Sequence, residues 1–407
     1  MIEIKDKKDC CGCYSCVQKC PKHCIAMIAD EEGFYYPKID TTVCINCGLC
    51  ESVCPQIHAS SHKKPLNCYA IKHPSKEIQL ASSSGGAFSL LAEYVLGQNG
   101  VVFGAAFDKD WNVVHKYIED VKQLDELRMS KYVQSNIGNS FKNAHTFLKN
   151  GRLVLFVGTP CQIHALKLFL KKDYENLIAV DFVCHGVPSE KVWQEYLKQL
   201  FAVRRKNTVS SFFIPKSISE RNALIRCIQF RNKRLGWEKF SFVLQLNLAE
   251  PTGDSEKNSV SPPVNNHKEF INETLYKNPY LRGFIHDLYL RPSCYVCKNK
   301  GFSSESDITL ADFWGIRQTY PQLFNDKGIS CVTINTSKGE RFLGDTKIHK
   351  TEVDFKQVLK FNPSFMGSVK KPPFRNYFFK LMHFISFRYL VLFGLGYNKI
   401  LRLLSLK

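Results

Sequence analysis

Methionine and tryptophan are scarce, at five and four among 407 residues, and no run of 18 apolar residues occurs anywhere. A bilayer-spanning helix needs about 20 such residues, so none is expected. The opening stretch MIEIKDKKDCCGC carries no apolar core and no small-residue cleavage site. That predicts no secretory leader and a reducing, cytoplasmic setting in which disulfides are disfavoured. No GxGxxG and no P-loop is present, so a dinucleotide would not be held in the Rossmann or kinase manner. Acid is short relative to base: 37 Asp and Glu stand against 56 Lys and Arg, a formal net charge of +19. Such a surplus suits an anionic partner: nucleic acid, a membrane surface or a phosphate-bearing cofactor. Apolar residues at 44% and charged residues at 23% exclude a globally disordered chain. The length predicts two to three domains at about 150 residues each.

Cysteine is the residue in excess. There are 17, and ten of them lie within the first 54 residues. Cys10, Cys13, Cys16 and Cys20 precede Pro21, and Cys44, Cys47, Cys50 and Cys54 repeat the same spacing before Pro55. Three closely spaced thiolates wrap one corner of a 4Fe-4S cubane, and the fourth, ahead of the proline, ligates the other cluster. The expected sets are therefore Cys10, Cys13, Cys16 and Cys54 for one cluster and Cys20, Cys44, Cys47 and Cys50 for its twin. Zinc also takes four thiolates, but as two pairs, which leaves half of each run unused. Cys11 and Cys24 fall outside the pattern and are read as bystanders. The segment resembles a bacterial two-cluster ferredoxin, with one short strand and one short helix per half, over residues 1–62. Residues 1–66 hold eight basic and eight acidic side chains, so the positive surplus belongs to the rest of the chain.

After a polar linker at 59–65, residues 80–97 read LASSSGGAFSLLAEYVLG. A Ser and Gly loop opening a helix suits a phosphate, or equally an N-cap with tight glycine packing. The run VVFGAAF at 101–107 is strand-like. Residues 153–157 read as a buried strand, GTPC as a turn, 162–170 as a helix and 177–183 as a second buried strand. That is a strand, helix, strand unit with parallel strands. Cys161 and Cys184 then sit at the carboxyl ends of two strands, where open α/β sheets place ligands. With Cys294 and Cys297 they could converge on a third cubane; inert buried thiols, a redox pair or half a zinc site are the alternatives. Cys68, Cys227 and Cys331 have no partner by spacing and are read as structural.

These residues resemble a known family, the beta subunits of coenzyme F-420 hydrogenases and dehydrogenases. The resemblance runs over about residues 68–320 and is carried by SKEIQLASSSGGAFSLL at 75–91, MSKYVQS at 129–135, FVGTPCQIHAL at 156–166, DFVCHGVPS at 181–189, RPSCYVCKNK at 291–300 and SDITLADFWG at 306–315. It implies an α+β ferredoxin domain at 1–62 followed by an α/β flavin-binding domain with a partly parallel sheet. That domain would be divided into 66–148 and 149–330, with a basic, aromatic-rich extension at 331–407. It further implies FAD and one 4Fe-4S cluster, the latter on Cys161, Cys184, Cys294 and Cys297. The flavin would lie against Ser83, Ser84, Gly85 and Gly86, the Ser130, Lys131 and Tyr132 turn, and the Gly158, Thr159 and Pro160 turn. Lys131 is expected beside the flavin pyrimidine, where a cation stabilises the anionic reduced ring. His185 is expected to donate a proton or hydrogen bond beside the cluster. The implied function is an oxidoreductase relaying electrons between a ferredoxin-like carrier, the clusters and FAD, with hydride exchange to a small anionic substrate or deazaflavin coenzyme. An electron-transfer subunit with no substrate site of its own is the alternative.

Three stretches remain open. Residues 251–268, polar and rich in Pro and Ser, are read as a mobile surface insertion. The basic residues Arg204, Arg205, Lys206, Arg221, Arg226, Arg231, Lys233 and Arg234 are read as a solvated face or an anionic-cofactor rim, since no nucleic-acid-binding pattern accompanies them. Residues 370–407 hold eight Lys or Arg and no Asp or Glu, which suits a packed C-terminal helix, a subunit dock or a peripheral contact with an anionic membrane.

Overall fold

The computed structural model describes residues 1–204, 217–247 and 267–404. Most of 251–268, and Arg205 and Lys206, lie outside the described residues; His267 and Lys268 open a strand.

The N-terminal segment carries the duplicated pattern expected of it. Strands β1 (Ile25–Ala29) and β2 (Tyr35–Ile39) form an antiparallel hairpin, flanked by short helices Ser15–Lys19 and Leu49–Ser52. Each helix starts after a residue in the left-handed region, Tyr14 at φ 62° and Gly48 at φ 72°. This turn lets three near-adjacent cysteines face one point; Gly48 adopts it freely, whereas for a bulky tyrosine it is a strained choice held by packing.

The body is built on eight strands: β3 (Asn67–Ile71), β4 (Val101–Phe107), β5 (Val113–Ile118), β6 (Val154–Gly158), β7 (Leu177–Phe182), β11 (Ile308–Asp312), β12 (Ser330–Ile334) and β13 (Lys350–Glu352). Their order is β13-β3-β12-β11-β7-β6-β4-β5. The run β4, β6, β7, β11 is parallel, and the outer pairings are antiparallel. VLFVG and LIAVD are near-continuous apolar runs because both faces of β6 and β7 are covered. Val102, Leu155 and Ile178 pack under helix Ala87–Gly97 on one face. Phe103, Phe156 and Ala179 pack on the other, against helices Ser140–Lys149 and Pro160–Leu170 and against Cys11 and Cys13 of the N-terminal segment. The stretch beyond 331 is more than an extension, since β12 and β13 complete the sheet around β3.

A second, three-stranded antiparallel sheet comprises β8 (Ile225–Asn232), β9 (Ser241–Asn247) and β10 (His267–Thr274). An aromatic core with Trp193, Tyr196, Phe230, Phe242, Tyr280 and Tyr289 joins it to the body and to helices Arg375–Leu381 and Phe387–Leu404. The last helix buries Phe387, Leu390 and Val391 and exposes Tyr389 and Phe393, so one of its faces is packed on the body. Among the described residues no helix is long and apolar enough to cross a membrane.

Candidate functional site

Two small cavities in the N-terminal segment are lined by crossed sets of thiols. One is bounded by Cys10, Cys13, Cys16 and Cys54, the other by Cys20, Cys44, Cys47 and Cys50. Each cavity draws three thiols from one run and a fourth from the other. Cys11 and Cys24 also line these cavities, a placement that spacing alone could not show. The amide of Gly12 donates to Cys10 Sγ at 3.4 Å, and that of Ile2 to Cys50 Sγ at 3.4 Å. Backbone N–H groups aimed at sulfur stabilise thiolate ligands and tune a cluster's potential. The donor chemistry fits a cubane in each cavity.

Cys161, Cys184, Cys294 and Cys297 come from three separate segments and lie within electrostatic reach of one another. Cys161 stands in the first turn of helix Pro160–Leu170, which opens on a capping box of Thr159 and Gln162. Cys184 follows β7. Arg291 N–H donates to Val187 carbonyl at 2.9 Å, and Gly186 sits where a Cβ would lie 2.7 Å from Leu290 and 3.3 Å from Cys294. Only glycine lets these two loops approach so closely. Cys294 feels the charge of Cys184, Cys297 and Cys161, so the four thiols share one field. Burial pushes the Cys184 thiol up to about 12 and Cys294 higher still. Such thiols become ligands only when a metal supplies the compensating positive charge. Lys300 is buried beside them, bonded to the carbonyls of Cys184 and Ser364. The quartet fits a third cubane.

The loops expected around a flavin gather at the same edge of the sheet. Ser83 Oγ accepts hydrogen bonds from Ser130 N–H at 2.6 Å and Ser130 Oγ at 2.9 Å, so those two turns touch. Ser84 Oγ donates to Ile329 carbonyl at 2.8 Å. Gly85 is required by the sheet itself: a Cβ there would lie 2.5 Å from both Ile71 carbonyl and Ser330 nitrogen. Gly86, at φ 92°, precedes helix Ala87–Gly97. Lys131 donates to the carbonyls of Arg128 at 2.7 Å and Met129 at 3.3 Å, and burial pulls its ammonium down to about 7. The Gly158, Thr159 and Pro160 turn is braced by a relay. Gln162 donates to Ser135 Oγ, which lies 2.9 Å from His115 Nδ1, while His115 Nε2 lies 2.9 Å from Val157 carbonyl. A carbonyl can only accept, so Nε2 donates and the ring is neutral; burial holds its pKa down at about 4.

The basic stretch, expected as a solvated face or an anionic-cofactor rim, is partly inside. Arg221, Arg231 and Lys233 are all buried, because each finds an acceptor that the local sequence does not reveal. Lys233 bonds the carbonyls of Gln79, Ser84 and Lys327, and burial lowers its pKa to about 7. Arg231 pairs with Asp312 at the end of β11 and lies within reach of the Tyr132 hydroxyl, while its buried Nε and Nη2 make no well-aligned hydrogen bond among the described residues. Buried guanidinium N–H groups without a well-aligned partner call for a further acceptor. The site thus fits an anionic group of a flavin, with Arg231 and Lys233 drawn from the basic stretch for which an anionic-cofactor rim is one of the two expectations. His185 Nε2 lies 2.7 Å from Asp287 Oδ1, yet neither atom has the alignment of a hydrogen bond, and its ring packs on Phe284. Tyr132 stacks on Phe284 at 4.4 Å, so His185 and the Tyr132 turn share that ring.

The C-terminal model of the coenzyme F420 hydrogenase/dehydrogenase beta subunit matches residues 151–358, half of the chain. The chain belongs to this family. The 4Fe-4S binding domain model matches residues 37–56, so 4Fe-4S binding is assigned to the N-terminal segment. A coenzyme F420-dependent sulfite reductase of Methanocaldococcus jannaschii is 27% identical over 207 residues, 50% of this chain and 32% of that protein. A subunit of the F420H2 dehydrogenase of Methanosarcina mazei is 24% identical over 213 residues, 49% of this chain and 61% of that one. The chain therefore spans less than two thirds of either relative. A chain of the F420-reducing nickel-iron hydrogenase complex from Methanosarcina barkeri aligns with 76% of this chain and 97% of its own, at 16% identity and a TM-score of 0.44.

Proposed function

We propose that this family member is an iron-sulfur flavoprotein oxidoreductase. It exchanges single electrons with a ferredoxin-like carrier through its N-terminal segment and hydride with a small anionic substrate or deazaflavin at the sheet edge. The observation that carries this reading is the meeting of Cys161, Cys184, Cys294 and Cys297 at the carboxyl ends of β6 and β7, next to turns bridged by Ser83 and Ser130. Three cubanes and FAD, when bound, supply the conversion between one hydride and two single electrons. The chain's own part is to hold and orient. Arg231 offers its Nε and Nη2 to an anionic group, Lys233 braces the loops of Gln79, Ser84 and Lys327, Lys131 is the side chain proposed beside the flavin pyrimidine, and the His115 relay fixes the turn that offers Cys161. His185 is the candidate hydrogen-bond or proton donor, its ring packed on Phe284 beside Asp287.

A second reading, an electron-transfer subunit without a substrate site, is favoured by the relative named as a dehydrogenase subunit. Anaerobic purification with iron, sulfide and flavin quantification separates the two. About twelve iron and one flavin per chain is the expected result. About eight iron with no flavin leaves only the N-terminal clusters and the relay reading.

A further inference from the structure

Arg291 is among the largest fully buried side chains, at 1% exposure, and it stands where the N-terminal segment meets the body. Its Nε donates to Cys10 carbonyl at 2.7 Å, its Nη1 to Gln134 Oε1 at 3.0 Å and its Nη2 to Tyr35 carbonyl at 2.8 Å. Nη2 also reaches Cys10 Sγ at 3.6 Å. Gln134 Nε2 in turn donates to Cys11 carbonyl at 2.9 Å. Gly12 makes this approach possible: at φ 67°, its Cβ would lie 2.7 Å from both Arg291 Nη1 and Gln134 Nε2.

All the oxygens bonded to this guanidinium are neutral. A buried cation without a carboxylate is costly unless an anion faces it. The groups around it that can turn anionic are the thiols of Cys10 and Cys11 on the N-terminal side and Cys294 on the other, with the Tyr36 phenol, whose ring it overlies at 4.5 Å; the thiols carry that charge only as cluster ligands. The segment 291–300 thus turns two ways. Cys294 and Cys297 face the third thiol quartet, while Arg291 faces Cys10, and Lys298 bonds Gln56 carbonyl near Cys54. Cys11 lies against both Cys13 and Cys161, closing the gap between the two sets.

We propose that Arg291 is the shared counter-charge of the cluster on Cys10, Cys13, Cys16 and Cys54 and the cluster on Cys161, Cys184, Cys294 and Cys297. It raises the reduction potential of the former and makes this junction the internal route of single electrons. The proposal rests on the three-cluster reading above. A fixed cation stabilises whichever oxidation state is more negative, which is the reduced one, so it shifts the couple towards reduction. Arg291 is a positioning residue in this sense: no bond to substrate is involved.

The test is an anaerobic redox titration of the whole chain, followed by electron paramagnetic resonance, with iron counted in each sample. Arg291→Met is expected to lower one cluster's reduced-to-oxidised ratio at least tenfold at fixed ambient potential, about 59 mV for a one-electron couple, with iron content unchanged. Arg291→Lys, which keeps the charge, is expected to restore most of that ratio. Gln134→Met, which removes the neutral half of the same contact, is expected to shift it less than twofold. Should Arg291→Met fail to load iron, the Lys and Gln134 variants still decide. An unshifted potential in Arg291→Met at full iron overturns the proposal, as does a Lys variant as shifted as Met or an equal shift in Gln134→Met. A wild-type protein with about eight iron overturns the three-cluster reading instead.

Discussion

Arg231 and Asp312 are held together by what surrounds them as much as by their charges. Arg231 lies over Phe240 and Trp314, at 4.5 and 5.4 Å from the ring centres, and Trp237 Nε1 donates to Asp312 at 3.0 Å. Removing one partner of a buried pair strands the other, at a cost of about 3–5 kcal/mol. Arg231→Met is therefore expected to lose about that much stability in urea unfolding, and adding Asp312→Asn to recover part of it. A loss under about 1 kcal/mol would mean the pair is solvated in solution. Nothing in the local run of basic residues marks Arg231 off from its neighbours, since its partner stands 81 residues away. Cysteines were more legible. A thiol's role is written in spacing where one run repeats another, as Cys10 to Cys20 and Cys44 to Cys54 do; Cys161 and Cys184 needed the strand pattern and the family resemblance, because only the fold brings Cys294 to them. Cys68 and Cys331, unpaired by spacing, lie 3.4 Å apart across β3 and β12.

The helix Pro160–Leu170 takes its exact starting direction from the His115 relay, and the relay works only with a neutral ring. His115 has a folded pKa of about 4 against 6.5 for an ordinary histidine. Between those values the unfolded chain binds a proton that the folded chain refuses, so stability falls as pH drops from 6.5 to 4 and rises again with pH. The effect is about 3 kcal/mol. His115→Asn is expected to lack this component, so the gap between its stability and that of wild type should narrow by a comparable amount over that window. Parallel pH profiles for the two proteins would contradict it. At this scale the strand, helix, strand unit was readable because VLFVG and LIAV are apolar throughout. Strands β12 and β13 were not: SCVTI is as short as many loops' apolar stretches, and KTE carries no apolar pattern at all.

Helix Ser15–Lys19 docks on the body through Ser15, Gln18 and Lys19. Two further clamps are the Cys10 to Gly12 loop and the turn between β1 and β2. Glu32 there forms a two-pronged ion pair with the buried Arg375, at 2.8 and 2.6 Å, and its carbonyl accepts from Ser189 Oγ at 2.6 Å. Arg375→Met leaves Glu32 without its cation and should weaken this clamp by more than a factor of ten. Trypsin cleavage after the exposed Lys63 and Lys64 of the linker is expected to speed up at least as much; an unchanged rate would show that the remaining contacts suffice without it. No sequence pattern announces such docking, because both contacts join segments hundreds of residues apart. The same long reach has a meaning in time. Strand β3 emerges from synthesis early, yet its pairing partner β12 lies some 263 residues further on. Half of the sheet therefore stays open while the rest of the body is made, and closing it is the slow, late event of folding. The iron-loading segment, whose ligands lie in the first 54 residues, is complete long before the sheet that receives it.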